Sequence, residues 1–339
     1  NSVMRSAGLR PLTENLDVPD NAYADGASTL KTIELLNEFD RDNKNFFLTV
    51  GFQKPHLPFT PPKKYWDLYQ RDDIKLAEFQ SKSIGSPQEA YHQSGELRNY
   101  HDTEPSMDEN GIVSEAKQRE LIHGYMASVS FIDAQVGMIL DHLESTGMDE
   151  NTVVVFFGDH GWHLGDHGLW NKHSNFEEAT RTPLIFKSPD IDGGFINDSP
   201  VELLDIFPTV CTLAGIQKPD DLDGISLVPI LEKKSEYLRD FAISQYPRRC
   251  NVMRSVIGRY PDDCTLMGYA VRNEKYRYVA WVSGNFEDRS DFNNDEIVME
   301  ELYDYEIDPL ETKSYASDAS YQKIKEEMIQ DLRSVIWEK

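Results

Sequence analysis

The sequence lacks long apolar runs and has few basic residues for its length. No stretch approaches the roughly 18 consecutive apolar residues of a transmembrane helix, so we expect no membrane span. Thirty-four Lys and Arg stand against 59 Asp and Glu, for a net charge of -25. Because nucleic acid is bound by clustered Lys and Arg, this balance argues against a nucleic-acid partner. Any anionic ligand must instead occupy a local basic pocket.

Cysteine is scarce as well. The chain has three cysteines, Cys211, Cys250 and Cys264, and none forms a CxxC pair. Cys211 falls in an apolar helical pattern and is predicted to lie in the core. Cys250 and Cys264 are compatible either with a disulfide or with two free thiols. The chain starts at Asn1 without an apolar signal region, as expected of a mature or truncated start.

The pattern that is present alternates helices with strands, which predicts an α/β fold. Asp25 is expected to cap the first helix, with Leu30, Ile33, Leu36 and Phe39 on its buried face. The apolar run over 152–157 is typical of a central parallel strand that is covered on both faces. The predicted helices cover 27–39, 114–146 and 203–214, and the predicted strands cover 45–52, 152–157 and 183–187.

After about residue 235 the composition changes. Strand patterns over 266–272, 275–282 and 301–305 are followed by a closing helix, and Asn273-Glu274 is expected to join the first two strands as a hairpin. We therefore predict two domains. Residues 1–235 would be the C-terminal portion of a catalytic domain, and residues 236–339 a smaller α+β subdomain with an antiparallel sheet and a terminal helix.

The segment GDHGWHLGDHGLWNK (158–172) contains the most informative motif. It follows directly on the apolar strand, and ligands of open α/β sheets collect at the carboxyl ends of strands. The oxygen of Asp159 and the imidazole of His160 are both possible metal ligands. Lys172 would bring a cation close to a bound anion.

This segment resembles the second signature of the sulfatase family, which belongs to the alkaline phosphatase superfamily. The rest of the chain is similar, in order, to the iduronate-2-sulfatase branch of that family. The matching segments are KPHLPF (54–59), ASVSFIDAQVG (127–137), WNKHSNF (170–176), TPLIF (182–186), SQYPR (244–248), MGYAVR (267–272) and YRYVAWV (276–282). The resemblance implies a mixed sheet flanked by helices, with the N-terminal part of the fold missing.

The resemblance also implies roles for individual residues. Asp159 and His160 match metal ligands, and the metal of the family is usually calcium. His56 and Lys172 match residues that contact the sulfate, and both are expected to be catalytic and substrate-binding. His173 and Arg248 are further candidates for substrate binding. Lys54 is near His56 and could assist it, but it is expected to be solvated. His163 and His167 are expected to order their loop.

One feature of the family is absent from the sequence. Family members carry a C/S-x-P-S/A-R motif whose Cys or Ser becomes formylglycine, the nucleophile, and no Cys or Ser of this chain lies in such a motif. The motif and the remaining metal ligands are therefore expected upstream of residue 1. Without a nucleophile the covalent route is closed, so the fragment alone is expected to be inactive.

The resemblance implies that the whole protein is a sulfuric ester hydrolase that removes 2-O-sulfate from uronic acid residues of glycosaminoglycans. The expected partner is a sulfated glycosaminoglycan or another sulfated sugar, and the resemblance implies a lysosomal or secreted location. Two alternatives stay open: a phosphoester hydrolase of the same superfamily, and a non-catalytic protein that binds sulfated glycans.

Overall fold

The computed structural model describes residues 10–103, 106–108, 111–249, 265–284 and 297–336. The chain divides into two units. The first unit comprises Asn1–Glu78, Ser94–Thr152 and Leu164–Asp166, and the second comprises Phe79–Gln93, Val153–His163 and His167–Lys339. The domain boundary predicted near residue 235 stays a prediction.

The helices and strands alternate along most of the chain, and strands dominate its last third. The α-helices of the described residues are α1 (Ala24–Arg41), α2 (Lys63–Trp66), α3 (Gly95–Arg98), α4 (Glu115–Thr146), α5 (Glu177–Thr180), α6 (Ile206–Leu213), α7 (Val228–Leu231) and α8 (Gln322–Ile336). The strands are β1 (Val154–Phe157), β2 (His163–Leu164), β3 (Trp170–Asn171), β4 (Leu184–Lys187), β5 (Ala242–Arg249), β6 (Thr265–Arg272), β7 (Tyr276–Gly284) and β8 (Ile297–Asp304). None of the helices described here combines the length and the apolarity that a membrane crossing requires.

In the first unit the long helix α4 confirms the helix predicted over 114–146. It ends at Gly147, which has a φ of 73°, a left-handed conformation typical of the residue after a helix. The apolar spacing of this helix predicts a buried stripe of Tyr125, Val129, Ile132, Val136, Ile139 and Leu143. The prediction is wrong at Val129, which is exposed, whereas Ser128 and Phe131 are fully buried. Gly124 explains this rotation: a Cβ atom there would lie 2.7 Å from Phe59 and 2.8 Å from Trp66, so the helix packs through its small residues.

Helix α1 begins at Ala24, so the predicted capping role of Asp25 is wrong. Asp25 lies in the first turn, where it is buried, and its carboxylate accepts the backbone N–H groups of Gln53 (2.8 Å) and Lys54 (3.1 Å). Leu30 was predicted on the buried face but is exposed. The strand predicted over 45–52 is also wrong, because this segment is neither helix nor strand and Phe47 is 84% exposed.

In the second unit β1 and β4 confirm two predicted strands, but their pairing differs from the prediction. They form an antiparallel pair in which Phe156 lies opposite Ile185. Both of these residues are exposed, as is Phe157. The prediction of a parallel strand covered on both faces is therefore wrong for this chain segment. An apolar run indicates that a strand favours apolar neighbours, but it does not show which residues cover the strand.

The C-terminal part of the second unit is a four-stranded antiparallel sheet in the order β5-β6-β7-β8. Its strands are rich in β-branched and aromatic residues, which favour pleated surfaces. One face packs on Tyr91, Leu169 and Phe176, and the other packs on α8 through Met328 and Leu332. Helix α8, the three predicted strands and the hairpin between β6 and β7 are confirmed, whereas β5 was not predicted.

The described residues thus confirm the predicted fold class, α/β with a smaller C-terminal α+β subdomain. The core assignment of Cys211 is confirmed as well, since it is buried in α6. The alternatives for Cys250 and Cys264 concern residues outside the described part of the chain.

Candidate active site

Asp159 and His160 follow strand β1 and present two donor atoms next to each other. The side chain of Asp159 is 84% exposed. The Nδ1 atom of His160 lies 2.8 Å from the carbonyl oxygen of Gly161. A carbonyl only accepts, so Nδ1 carries the proton in this hydrogen bond and Nε2 keeps its lone pair. Nε2 lies 3.6 Å from Oδ2 of Asp159.

This pair fits a divalent cation. Atoms that bind one cation at distances of about 2.0–2.6 Å are themselves roughly 3–4 Å apart, and the 3.6 Å separation falls in that range. The hydrogen bond from Nδ1 to a carbonyl is also the arrangement that orients metal-binding histidines. Calcium takes six to eight oxygen ligands, so the pair would supply only part of a calcium shell.

The glycines of the motif allow the loop to pack tightly. The N–H of Gly161 donates to the carbonyl of Ala179 at 2.9 Å. A Cβ atom on Gly161 would lie 2.0 Å from the carbonyl oxygen of Glu178 and 2.8 Å from that of Arg181. Only glycine therefore lets the loop that carries Asp159 and His160 rest on the backbone of α5 and the residue after it.

Trp162 connects His160 with Lys172. The rings of His160 and Trp162 stack with centroids 6.2 Å apart, and Nζ of Lys172 lies 5.0 Å from the centroid of the Trp162 ring. A cation over an indole face is attracted by the negative charge of that face. The structure therefore brings Asp159, His160 and Lys172 together in the second unit. Sequence reasoning missed Trp162, although it stands two residues after His160.

His173 and Arg248, the further candidates for substrate binding, lie in direct contact. The guanidinium of Arg248 donates to the backbone carbonyl of His173 and, at 2.9 Å, to that of Glu89. Nδ1 of His173 and the hydroxyl of Tyr246 are 2.8 Å apart, and the same tyrosine ring lies 4.4 Å below the Arg248 guanidinium. Burial lowers the pKa of Arg248.

His92 lies beside this group, and no sequence motif pointed to it. Its ring centroid is 5.9 Å from that of His173 and 6.4 Å from that of His163. Burial, assisted by the positive charges of His163, Arg248 and His173, lowers the pKa of His92 to about 3. His92 is therefore neutral over the whole range from mildly acidic to alkaline pH.

His163 and His167 are both buried within the motif. Nε2 of His163 is 2.7 Å from the hydroxyl of Ser174, and the ring of His167 stacks on Phe176 with centroids 4.1 Å apart. These contacts agree with the predicted role of both histidines in ordering the loop.

A second group of possible metal ligands surrounds His167. Its Nε2 lies 3.8 Å from a carboxylate oxygen of Glu178 and 3.8 Å from one of Glu311. Glu311, however, already forms a buried ion pair with Arg277, which donates from Nε at 2.7 Å. We assign this group to the buried ionic network of the second unit, because the charge of Glu311 is already balanced.

His56 lies in the first unit. Its Nδ1 is 2.8 Å from the carbonyl of Leu57, and its Nε2 faces Oε1 of Glu96 at 3.9 Å. The expectation that Lys54 is solvated is wrong. Lys54 is 8% exposed, its Nζ donates to the carbonyl of His56 at 3.0 Å, and burial lowers its pKa to about 8. The predicted convergence of His56 with Asp159, His160 and Lys172 stays a prediction.

Two family models match the chain. The model described as Sulfatase matches residues 3–216, and the model described as N-sulphoglucosamine sulphohydrolase, C-terminal, matches residues 165–338. Among curated proteins, the iduronate 2-sulfatase of Homo sapiens is 32% identical over 352 residues, covering 90% of this chain and 64% of that protein. The chain thus spans less than two thirds of the length of this relative.

Solved structures share the fold. A phosphonate monoester hydrolase from Silicibacter pomeroyi has a TM-score of 0.74 at 18% identity, covering 94% of this chain and 61% of that one. The protein BT4656, solved in complex with its substrate D-glucosamine-2-N,6-O-disulfate, has a TM-score of 0.68 at 21% identity, covering 92% of this chain and 69% of that one.

The Sulfatase model covers well over half of the sequence, and the chain belongs to the sulfatase family.

Proposed function

We propose that the protein containing this chain is a sulfuric ester hydrolase that removes 2-O-sulfate from uronic acid residues of glycosaminoglycans. The observation that carries the proposal is the pair of donor atoms on Asp159 and His160, 3.6 Å apart, with Lys172 tied to the same loop through Trp162. The sugar is inferred from the similarity to human iduronate 2-sulfatase. The same resemblance leads us to propose a lysosomal or secreted location.

In this proposal Asp159 and His160 hold a divalent cation, which we take to be calcium. When bound, it supplies positive charge to the sulfate oxygens. Lys172 adds a second positive charge and stabilises the charge that develops on those oxygens in the transition state. The Trp162 ring restricts the Lys172 side chain to one side of the loop and thereby lowers the entropy that Lys172 loses on binding sulfate.

His56 is the candidate for protonating the leaving alcohol. With Nδ1 directed at the carbonyl of Leu57, Nε2 is the atom that we assign to proton transfer. The carboxylate of Glu96, 3.9 Å from Nε2, can balance the charge of the protonated ring. We further propose that the formylglycine nucleophile is contributed from upstream of residue 1, so that the 339 residues alone are inactive.

The two alternatives receive less support. A phosphoester hydrolase would rest on the phosphonate monoester hydrolase structure, which at 18% identity is informative about fold only. A non-catalytic glycan-binding protein would not need His160 held with Nε2 directed at a carboxylate. An assay of the complete gene product with an aryl sulfate and an aryl phosphate would separate the three functions. Preference for the sulfate supports a sulfatase, preference for the phosphate supports a phosphoester hydrolase, and no turnover of either supports a binding protein.

The test compares Asp159→Asn with Lys172→Ala in the complete gene product. An amide offers a hard cation only a dipole in place of a charge, so Asp159→Asn should raise the metal concentration needed for activity and recover part of the rate at high metal. Lys172→Ala should lower kcat by about 10²–10³-fold, as expected for the loss of one electrostatic contact, and should not respond to added metal.

The matched control is Asp192→Asn, which changes an exposed carboxylate in the loop after β4 and should leave the metal titration unchanged. The assigned roles would have to be abandoned if Lys172→Ala lost the metal, or if Asp159→Asn bound it with unchanged affinity.

A further inference from the structure

A cleft lies between helix α4 and the loop that follows helix α2, entirely within the first unit. Its volume is about 520 Å³, which is in the range of clefts that hold small organic molecules. Residues of the segment 68–75 line one side, and Ile122 and Met126, one turn apart on α4, line the other. This α4 cleft shares no residue with the candidate active site.

Hydrogen bonds fix the loop side of the α4 cleft to the helix. The hydroxyl of Tyr69 lies 2.6 Å from a serine hydroxyl of α4, and the guanidinium of Arg119 donates to the carbonyl of Ile74. Nε of Arg71 donates to a histidine of α4 at 3.3 Å. Because three contacts with one helix already order this loop, a ligand would not have to order it on binding.

The apolar lining of the α4 cleft is only partly covered. Ile122 is buried, whereas Leu68 is 63% exposed and Met126 is half-buried. An apolar group in the cleft would remove these side chains from water, which is favourable. The flexible side chain of Met126 can adapt to the shape of such a group.

The charges around the α4 cleft favour an anion. The segment 68–75 and Arg119 together carry three cations, Arg71, Lys75 and Arg119, and two carboxylates, Asp72 and Asp73, in a chain whose net charge is -25. In the part of the chain that the structure describes, none of these cations is in an ion pair. Lys75 lines the cleft directly, so its ammonium is placed to pair with an anionic ligand.

We propose that the α4 cleft binds an organic anion with an apolar body, such as an aryl or alkyl group that carries a sulfonate or a carboxylate. The apolar body contacts Leu68 and Met126, and the anionic group pairs with Lys75. This binding site is separate from the one proposed at Asp159 and does not rest on the proposed function.

The experiment titrates the complete gene product with naphthalene-2-sulfonate, which contains no sulfate ester and is therefore not a substrate. The reporter is the methyl resonance of Met126 in methyl-labelled protein, assigned through Met126→Leu. A ligand of this size is expected to bind with a Kd of about 1 mM. Uncharged 2-naphthalenemethanol should bind roughly 5-fold more weakly, and inorganic sulfate should leave the resonance in place.

Two substitutions in the cleft should have opposite effects on an anion. Lys75→Gln removes the pairing charge and should raise the Kd roughly 5- to 10-fold. Asp73→Asn removes a repelling carboxylate that lines the same cleft and should lower the Kd roughly 2- to 5-fold. Leu68→Ser should raise it roughly 10-fold through the lost apolar contact. All three positions are exposed, so these changes should leave the fold intact.

Lys63→Gln, which changes an exposed lysine of α2, is the matched control and should leave the Kd unchanged. Lys172→Ala should leave the response of Met126 in place, because it alters only the proposed sulfate site. A response that disappears in Lys172→Ala would overturn the proposal.

The proposal is also overturned if Met126 does not respond at about ten times the expected Kd, which would mean that another part of the complete gene product covers the cleft. Equal binding of the uncharged probe would mean that the cleft takes neutral apolar molecules instead. Reversed effects of Lys75→Gln and Asp73→Asn would mean that it takes a cation.

Discussion

At the scale of single residues, the surroundings of each imidazole decide what it can do. His160 donates from Nδ1 to a neighbouring carbonyl, which leaves the lone pair on Nε2, the atom proposed to bind a cation. His163 is fully buried, and its Nε2 lies 2.7 Å from the hydroxyl of Ser174, a contact that orders the loop. His92, held neutral by burial, can accept a hydrogen bond at a pH where an exposed histidine would be charged. One residue type thus serves three purposes in one unit.

The neutral state of His92 leads to a prediction about acid stability. Its pKa is about 3 in the folded protein and about 6.5 in an unfolded chain. Its contribution to stability is therefore complete above pH 6.5 and is lost as the pH falls from 6.5 towards 3. Between pH 7.5 and pH 5 this loss amounts to about 2 kcal/mol.

Replacing His92 with Gln removes the titration, so urea unfolding at the two pH values should show a smaller acid loss in His92→Gln than in the wild type. His142→Gln, which changes a histidine of helix α4, is the comparison and should not reproduce this difference. Equal acid losses in the wild type and His92→Gln would contradict the neutral, buried state of His92.

Some site residues could be predicted because the motif holds them close in sequence. Asp159, His160 and Lys172 fall within 14 positions, and the glycines between them already indicate a tight loop. The contacts of Arg248 with Glu89 and His173 join residues 159 and 75 positions apart, and no local pattern encodes such a contact. Lys54 was assigned wrongly because a lysine is usually exposed, and only the fold shows the carbonyl and the carboxylate that allow its burial.

At the scale of elements, helix α8 and the sheet it covers depend on each other. The helix has an apolar face at positions 328 and 332, one turn apart, and a charged face opposite. Met328 and Leu332 are buried against Tyr278, Ala280 and Leu302 of the sheet. A sheet with both faces covered needs such a helix, because its strands are apolar on both sides.

Truncating Leu332 to Ala should therefore lower the free energy of unfolding by about 2–5 kcal/mol, the range for a buried leucine that leaves a cavity. Gln330→Ala, on the exposed face of the same helix, should change it by no more than about 0.5 kcal/mol. Denaturant unfolding of the two variants tests this difference. Similar values for both would mean that α8 does not stabilise the sheet.

The elements that could be predicted are those whose stability is local. The β6–β7 hairpin is formed by adjacent strands, and Asn273 closes its turn by accepting the N–H groups of Lys275 and Tyr276. The segment over 45–52 has an equally apolar sequence but forms no strand. A strand requires a partner edge, any part of the chain can supply that edge, and periodicity carries no information about it.

At the scale of the whole molecule, the net charge affects how anionic ligands approach, and the exposed apolar residues affect which surfaces can contact other protein segments. A net charge of -25 repels anionic ligands at long range. The proposed substrate, a sulfated sugar, would therefore have to be attracted by local cations such as Lys172. The β1–β4 pair exposes Phe156, Phe157 and Ile185 close to the Asp159 loop. Exposed apolar residues grouped in this way are typical of surfaces that contact other protein segments.

The 339 residues by themselves are expected to be inactive. They contain residues proposed to bind metal and sulfate, but no Cys or Ser in the motif that yields formylglycine. Charge stabilisation alone cannot replace a nucleophile in a two-step displacement. The purified chain should therefore give no metal-dependent turnover of 4-methylumbelliferyl sulfate above its own Lys172→Ala variant. Because that variant retains every other residue, a difference between the two would show that this chain supplies its own nucleophile, and the proposed division of the site between this chain and an upstream segment would be wrong.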